Sequence, residues 1–211
     1  MSWPCLAAEV IALSSPLVLA SGSPRRRELL SSAGLRFDVR PADIDETPLP
    51  EEFPAAYVRR LSIEKAAAAM ESPLADSADV VLAADTTVEV EGAILEKPLD
   101  VDDAYRMLRM LSGRDHLVHT GVTVSVPSTG VRHANSILVT TRVTFADLDA
   151  RAIDWYLAKG QTSNEWKDKA GGYGIQGAAA GFVERVDGSV TNVIGLPLTE
   201  TLKLLRDVAS T

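Results

Sequence analysis

A chain of 211 residues, 46% hydrophobic and 24% charged, has ordinary globular composition and enough length to bury a core, which excludes the disordered and fibrous classes. Its formal net charge of −8 excludes the broad basic face that DNA or RNA polymers require, so any anion site must be local. The single cysteine, Cys5, excludes an intrachain disulfide and suits a reducing compartment.

The first 22 residues are apolar and end in small residues, but they lack a basic start. Glu9 interrupts the apolar run and Pro16 breaks it, so the stretch does not read as a signal peptide. No other run approaches the roughly 18 apolar residues of a membrane helix. The expectation is a cytoplasmic protein with no membrane partner, in which residues 1–16 extend a single domain over 17–211.

PLVLA (16–20) reads as a short buried strand that runs into a turn at 21–23. Ser23 and Pro24 have the residue types of an N-cap and a first helical position, and the helix 24–33 is stopped by Gly34. A second strand is expected at 36–40 and a helix at 51–70. VVLAA (80–84) is a continuous apolar run, expected as a central strand covered on both faces. A hairpin over 86–95 turns at Glu91-Gly92, and a helix fills 101–111. Strands at 117–126 and 131–145 flank a PSTG turn and suggest a long antiparallel hairpin. A helix over 149–159, a glycine-rich loop over 165–177, two short strands within 181–194 and a closing helix over 198–209 complete the pattern. The mixed order indicates an α/β fold with a mixed sheet.

Four polar stretches interrupt this framework. In SGSPRRREL, Arg25, Arg26 and Arg27 sit at the positive end of a helix dipole, where cations are disfavoured. Small residues at 21–23 and free helix N–H groups would suit a phosphate, and arginine adds bidentate recognition. A solvated basic helix face is the plainer alternative. In AADTTVEV, Asp85 is placed at the carboxyl end of the apolar strand, where open α/β sheets hold ligands. It could hold a metal, orient a water, or merely cap a turn. Thr86 and Thr87 add hydroxyls. In EKPLD, Lys97 could join Lys65 as a point charge for a polyphosphate, although either lysine alone reads as plain surface. In EWKDKAGGYGIQG, the glycines permit close backbone approach and Lys169 adds a charge. The Gln176 amide can donate and accept together, as a pyrimidine-dione edge demands.

His116, His119 and His133 lack zinc-ligand spacing and read as structural, and neither a G-x-S-x-G nor a P-loop occurs. The inventory suits metal-assisted attack of water on a phosphoanhydride.

Taken in order, LASGSPRRRELL, ADTTV, LEKP, LSGRDHLVHTGV, WKDKAGGYGIQG and NVIGLPLTET resemble the Maf family of nucleoside triphosphate pyrophosphatases, over nearly all of 17–205. That resemblance implies an elongated mixed α/β fold with a central cleft, similar to inosine triphosphate pyrophosphatases, and commonly a homodimer. It implies Asp85 as the catalytic aspartate with Lys65 and Lys97 beside it. Ser21, Arg25, Arg26, Thr86 and Gln176 would contact substrate, with Lys169 added from its charge alone, and Glu46 would join Asp85 on a divalent cation, Mg²⁺ first and Mn²⁺ as the alternative. KAGGYGIQG resembles the branch acting on dTTP and UTP, with a house-cleaning role against non-standard pyrimidine nucleotides. Other readings are a 7-methyl-GTP or purine-editing pyrophosphatase, and a nucleotide-binding regulator of septum formation without turnover. Residues 1–16 and QTSN (161–164) depart from the pattern.

Overall fold

The computed structural model describes residues 17–71, 80–126, 134–163 and 165–209. The extension 1–16, the PSTG turn and His133 lie outside the described residues. The chain divides into two compact units, one of Met1–Asp85, Thr120–Val139 and Gly195–Thr211, the other of Thr86–His119 and Thr140–Ile194.

Among the described residues seven strands form one mixed sheet: β1 (Leu17–Leu19), β2 (Phe37–Val39), β3 (Val81–Val90), β4 (Ala93–Leu95), β5 (Asp115–Ser125), β6 (Ala134–Phe145) and β7 (Val183–Asp187). Their order is β2-β1-β3-β5-β6-β7, with β4 on β3. β1 runs parallel to β2 and β3, whereas the β3–β4 and β6–β7 pairs are antiparallel. The mixed α/β class expected from element order is the one found.

In the first unit, the period-2 geometry of a strand sends alternate residues of LVLA and VVLAA to opposite faces. Leu17, Leu19, Leu82 and Ala84 pack with Leu30 of α1 (Pro24–Ser32) and Leu205 of α6 (Leu198–Ala209). Val18, Ala20, Val81 and Ala83 pack with Ala66 and Ala69 of α2 (Pro54–Met70). Burial on both faces explains why these strands are apolar without alternation.

Small side chains line the second interface, and one glycine extends the same logic to β5. A Cβ added at Gly121 would lie 2.4 Å from the Val58 carbonyl oxygen and 2.9 Å from Arg59 Cα, so α2 rests directly on strand backbone. This gives the glycine of LVHTGV a packing role.

In the second unit, β3 and β4 turn through Glu91 (φ 52°) and Gly92 (φ 81°), consecutive left-handed residues as a two-residue hairpin requires. Asp100 caps α3 (Val101–Leu111) by accepting from the Asp103 N–H at 2.8 Å. Met107 and Leu108 pack with Ile153 and Tyr156 of α4 (Ala150–Ser163) and with Phe145 and Phe182.

Three expectations need correction. β3 does not end before Asp85 but continues to Val90, because Thr86, Thr87 and Val88 are themselves strand formers. The interval 181–194 holds one strand and a short helix, α5 (Val190–Ile194), rather than two strands. There Gly188 turns at φ 128° and the Ser189 hydroxyl accepts from the Asn192 N–H at 3.2 Å, as a helix cap does. The helix expected over 149–159 runs on to Ser163, taking in three of the four QTSN residues.

Gly121→Ala is expected to lower unfolding free energy by about 1–3 kcal/mol, the usual cost of overpacking. Urea denaturation that shows wild-type stability would contradict the close contact.

Candidate active site

The turn after β1 sets the first half of the site. Ser23 occupies the N-cap position of α1, but its hydroxyl makes no cap bond, contrary to its expected role. Instead the Ser23 N–H donates to the Ser21 hydroxyl at 3.3 Å. That hydroxyl also accepts from Arg26 Nη1 at 2.9 Å, while Arg26 Nε donates to the Gly195 carbonyl at 2.8 Å. Arg26 is thus buried and folded back onto the turn, rather than lying on a solvated helix face. Arg25 is half-buried and Arg27 exposed, so the three arginines are not equivalent.

The second half comes from the packing of α2 on the sheet. Val81, Ala83 and Asp85 alternate onto the face that α2 covers, and Lys65 precedes Ala66 at that interface. Lys65 Nζ donates to Asp85 Oδ1 at 2.6 Å and pairs with Glu46 Oε1 at 2.7 Å. Lys65 and Asp85 are each only 8% exposed. Burial pushes the Asp85 carboxyl above the usual carboxylate range, against the Lys65 and Arg26 charges that favour its ionised form. Burial likewise pulls the Arg26 guanidinium down, with Asp85 opposing. Ser21, Arg26, Glu46, Lys65 and Asp85 therefore form one charge-balanced group, with Arg25 next to it in sequence. A desolvated carboxylate is a stronger base than a solvated one, so Asp85 is suited to accept a proton.

Two carboxylates converge on one ammonium here, and no group of three His, Cys, Asp or Glu suited to a metal occurs among the described residues. That donor set fits Mg²⁺, which takes one or two carboxylates and completes its shell with water and substrate phosphate. It does not form an all-protein cage.

The remaining expected residues belong to the second unit. Thr86 follows Asp85 on β3 and is half-buried. The EKP and AGGYG stretches meet: the Gly171 N–H donates to the Glu96 carbonyl at 3.1 Å, beside exposed Lys97. Gly171 (φ 71°) and Gly172 (φ 70°) make the turn that this docking needs. Lys169 Nζ pairs with Asp168 Oδ1 at 2.6 Å, and Gln176 is exposed.

Several supporting contacts have no counterpart in the sequence pattern. Tyr173 and His116 Nε2 are hydrogen-bonded at 2.8 Å, and burial lowers the His116 pKa to about 4, leaving a neutral ring. Glu165 accepts from the Ala178 N–H at 3.1 Å, tying down the segment that carries Gln176. His119 bridges Glu89 and Thr140 at 2.7 and 2.9 Å. Around Glu46, Tyr57 and Arg60 hold the chain. Contact partners on distant segments leave no local spacing, and Tyr57 and Arg60 lie in none of the quoted motifs.

Lys65→Met is expected to move the Asp85 carboxyl titration to higher pH, because burial remains while the opposing ammonium is gone. Carbon-13 NMR titration of labelled aspartate checks this; an unchanged or lower midpoint would contradict the pairing.

The Maf-like protein family model matches residues 16–208. A dTTP/UTP pyrophosphatase of Anaeromyxobacter dehalogenans (strain 2CP-C) is 52% identical over 190 residues, covering 90% of this chain and 92% of the relative. Proteins of the same description from Rhizobium meliloti (strain 1021) and Hahella chejuensis (strain KCTC 2396) are each 48% identical; they cover 92% and 90% of this chain, and 93% and 91% of their own lengths. A family model that spans nearly the whole chain, and relatives about half identical over nine-tenths of it, show that the chain belongs to the Maf family.

Proposed function

We infer that this protein is a nucleoside triphosphate pyrophosphatase that hydrolyses dTTP and UTP to the nucleoside monophosphate and diphosphate. The observation that carries the reading is the buried Lys65–Asp85 pair with Glu46 and Arg26 around it. The similarity to dTTP/UTP pyrophosphatases supports the same substrates.

In this reading Asp85 takes a proton from water as the water oxygen bonds to the α-phosphorus. The bond from that phosphorus to the α,β-bridging oxygen breaks, and diphosphate leaves. Arg25, Arg26 and Lys65 hold phosphate oxygens, and the Ser21 hydroxyl orients Arg26. Asp85 and Glu46 would hold a divalent cation, Mg²⁺ or Mn²⁺, which when bound supplies positive charge against the phosphates. From the second unit, Thr86, Lys97 and Lys169 are proposed as substrate contacts. Gln176 is proposed as the reader of the O4 and N3–H edge of thymine or uracil.

A pure nucleotide sensor would need the cations but not a desolvated carboxylate, so the buried Asp85 favours turnover. No described helix is long and apolar enough to cross a membrane. Action in the cytoplasm on non-standard pyrimidine triphosphates, by a homodimer, completes the proposal.

Diphosphate release from dTTP, UTP, GTP and 7-methyl-GTP with Mg²⁺ tests the reading, with dTTP and UTP expected to be fastest. Asp85→Asn is expected to lower kcat by about 100-fold or more, the range for loss of a general base. A variant as fast as wild type would refute the mechanism, and 7-methyl-GTP as the best substrate would refute the base assignment.

A further inference from the structure

Glu46 poses a problem that the ion pairs alone do not solve. It lies within residues 40–53, which form neither helix nor strand. Its side chain is 48% exposed, yet its carboxylate sits 2.7 Å from Lys65 Nζ. An exposed ion pair on an irregular segment is weak, because holding both partners in one geometry costs side-chain entropy. Something else must hold the backbone.

Helix α2 supplies that hold from its first two turns. The buried Tyr57 hydroxyl donates to the Glu46 carbonyl at 2.9 Å. Arg60 donates from Nη2 to the Thr47 carbonyl at 3.2 Å. It also grips Glu52 with both arms of its fork, Nε to Oε1 and Nη2 to Oε2, each at 2.7 Å. Glu52 Oε2 accepts in turn from the Leu49 N–H at 3.0 Å, closing the segment on itself. The Arg60 guanidinium lies 5.7 Å from the centre of the Tyr57 ring, within cation–π range, so the two anchors support one another. A bidentate arginine–carboxylate pair carries direction as well as charge, which a lysine would not.

Tyr57, Leu61 and Lys65 follow at four-residue steps, so the anchor and the ion-pairing lysine lie along one side of the same helix. We propose that Tyr57 and Arg60 are positioning residues, which clamp residues 46–52 onto α2 and so fix the Glu46 carboxylate against Lys65 and Asp85. They touch no reacting atom and act only through Glu46. The claim that this serves catalysis rests on the function proposed above; the clamp itself does not.

The test uses Tyr57→Phe and Arg60→Lys, each in wild-type and Glu46→Gln backgrounds, with two readouts. Amide hydrogen exchange by NMR reads the clamp directly: Arg60→Lys should speed exchange at Leu49 by about tenfold or more, as expected when a hydrogen bond to a charged group is lost. Steady-state kinetics with dTTP reads its purpose: both variants should lower kcat/KM by roughly tenfold in the wild-type background and by less than about twofold with Glu46→Gln, since coupled residues are not additive. Unchanged Leu49 exchange would overturn the clamp. An undiminished kinetic loss in the Glu46→Gln background would reduce both residues to general stability, and Glu46→Gln as active as wild type would remove the clamp's purpose. If the wild-type protein releases no diphosphate from dTTP or UTP, the functional reading fails while the exchange rates still decide the clamp.

Discussion

The Lys65–Asp85 ion pair is the constraint around which the first unit is organised. Both side chains are buried, and taking two charges out of water costs several kcal/mol per ion unless geometry and further hydrogen bonds offset it. A well-packed apolar pair of similar volume is often as stable or more so, so burial of this pair is poorly explained as a stabilising device. It is well explained as a means of keeping a carboxylate desolvated and basic. The surrounding packing serves that end. Ala20, Ala83, Ala66 and Ala69 let α2 settle on β1 and β3, and Gly121 lets the same helix rest on β5. Helix position then determines where the Lys65 ammonium falls relative to Asp85.

The arginine run at the start of α1 fits the same electrostatic frame. Three cations at the positive end of a helix dipole are unfavourable for an isolated helix. The molecule resolves this unevenly. Arg26 turns inward to the Ser21 hydroxyl and the Gly195 carbonyl, within the fields of Asp85 and Glu46. Arg27 stays in solvent and Arg25 lies between these extremes. The positive charge is therefore aimed at the place where the carboxylates gather, which is where a polyphosphate would need it.

Much of this was legible in the sequence, for identifiable reasons. Apolar runs such as VVLAA and helical patterns such as VDDAYRMLRML report burial through local spacing; the helix has the expected bounds, and VVLAA is the buried start of a longer strand. Asp85, Lys65, Glu46, Arg26 and Ser21 could be singled out by residue type and motif order. Their convergence could not, because it depends on strand register and on one helix crossing the sheet. The end of β3 is hidden from the pattern because Asp85 breaks the apolar run without breaking the strand: its carboxylate is neutralised by Lys65 instead of reaching solvent. The roles of Tyr57, Arg60 and Glu165 leave no sequence signal, since each works through backbone groups of a distant segment, which no residue spacing records.

The central claim is that this buried carboxylate directs water to the α-phosphorus of a pyrimidine nucleoside triphosphate. Hydrolysis of dTTP in oxygen-18 water, followed by mass spectrometry of both products, tests it most directly. The account predicts one heavy oxygen in the nucleoside monophosphate and none in the diphosphate. Label in the diphosphate, or release of inorganic phosphate instead, would contradict it.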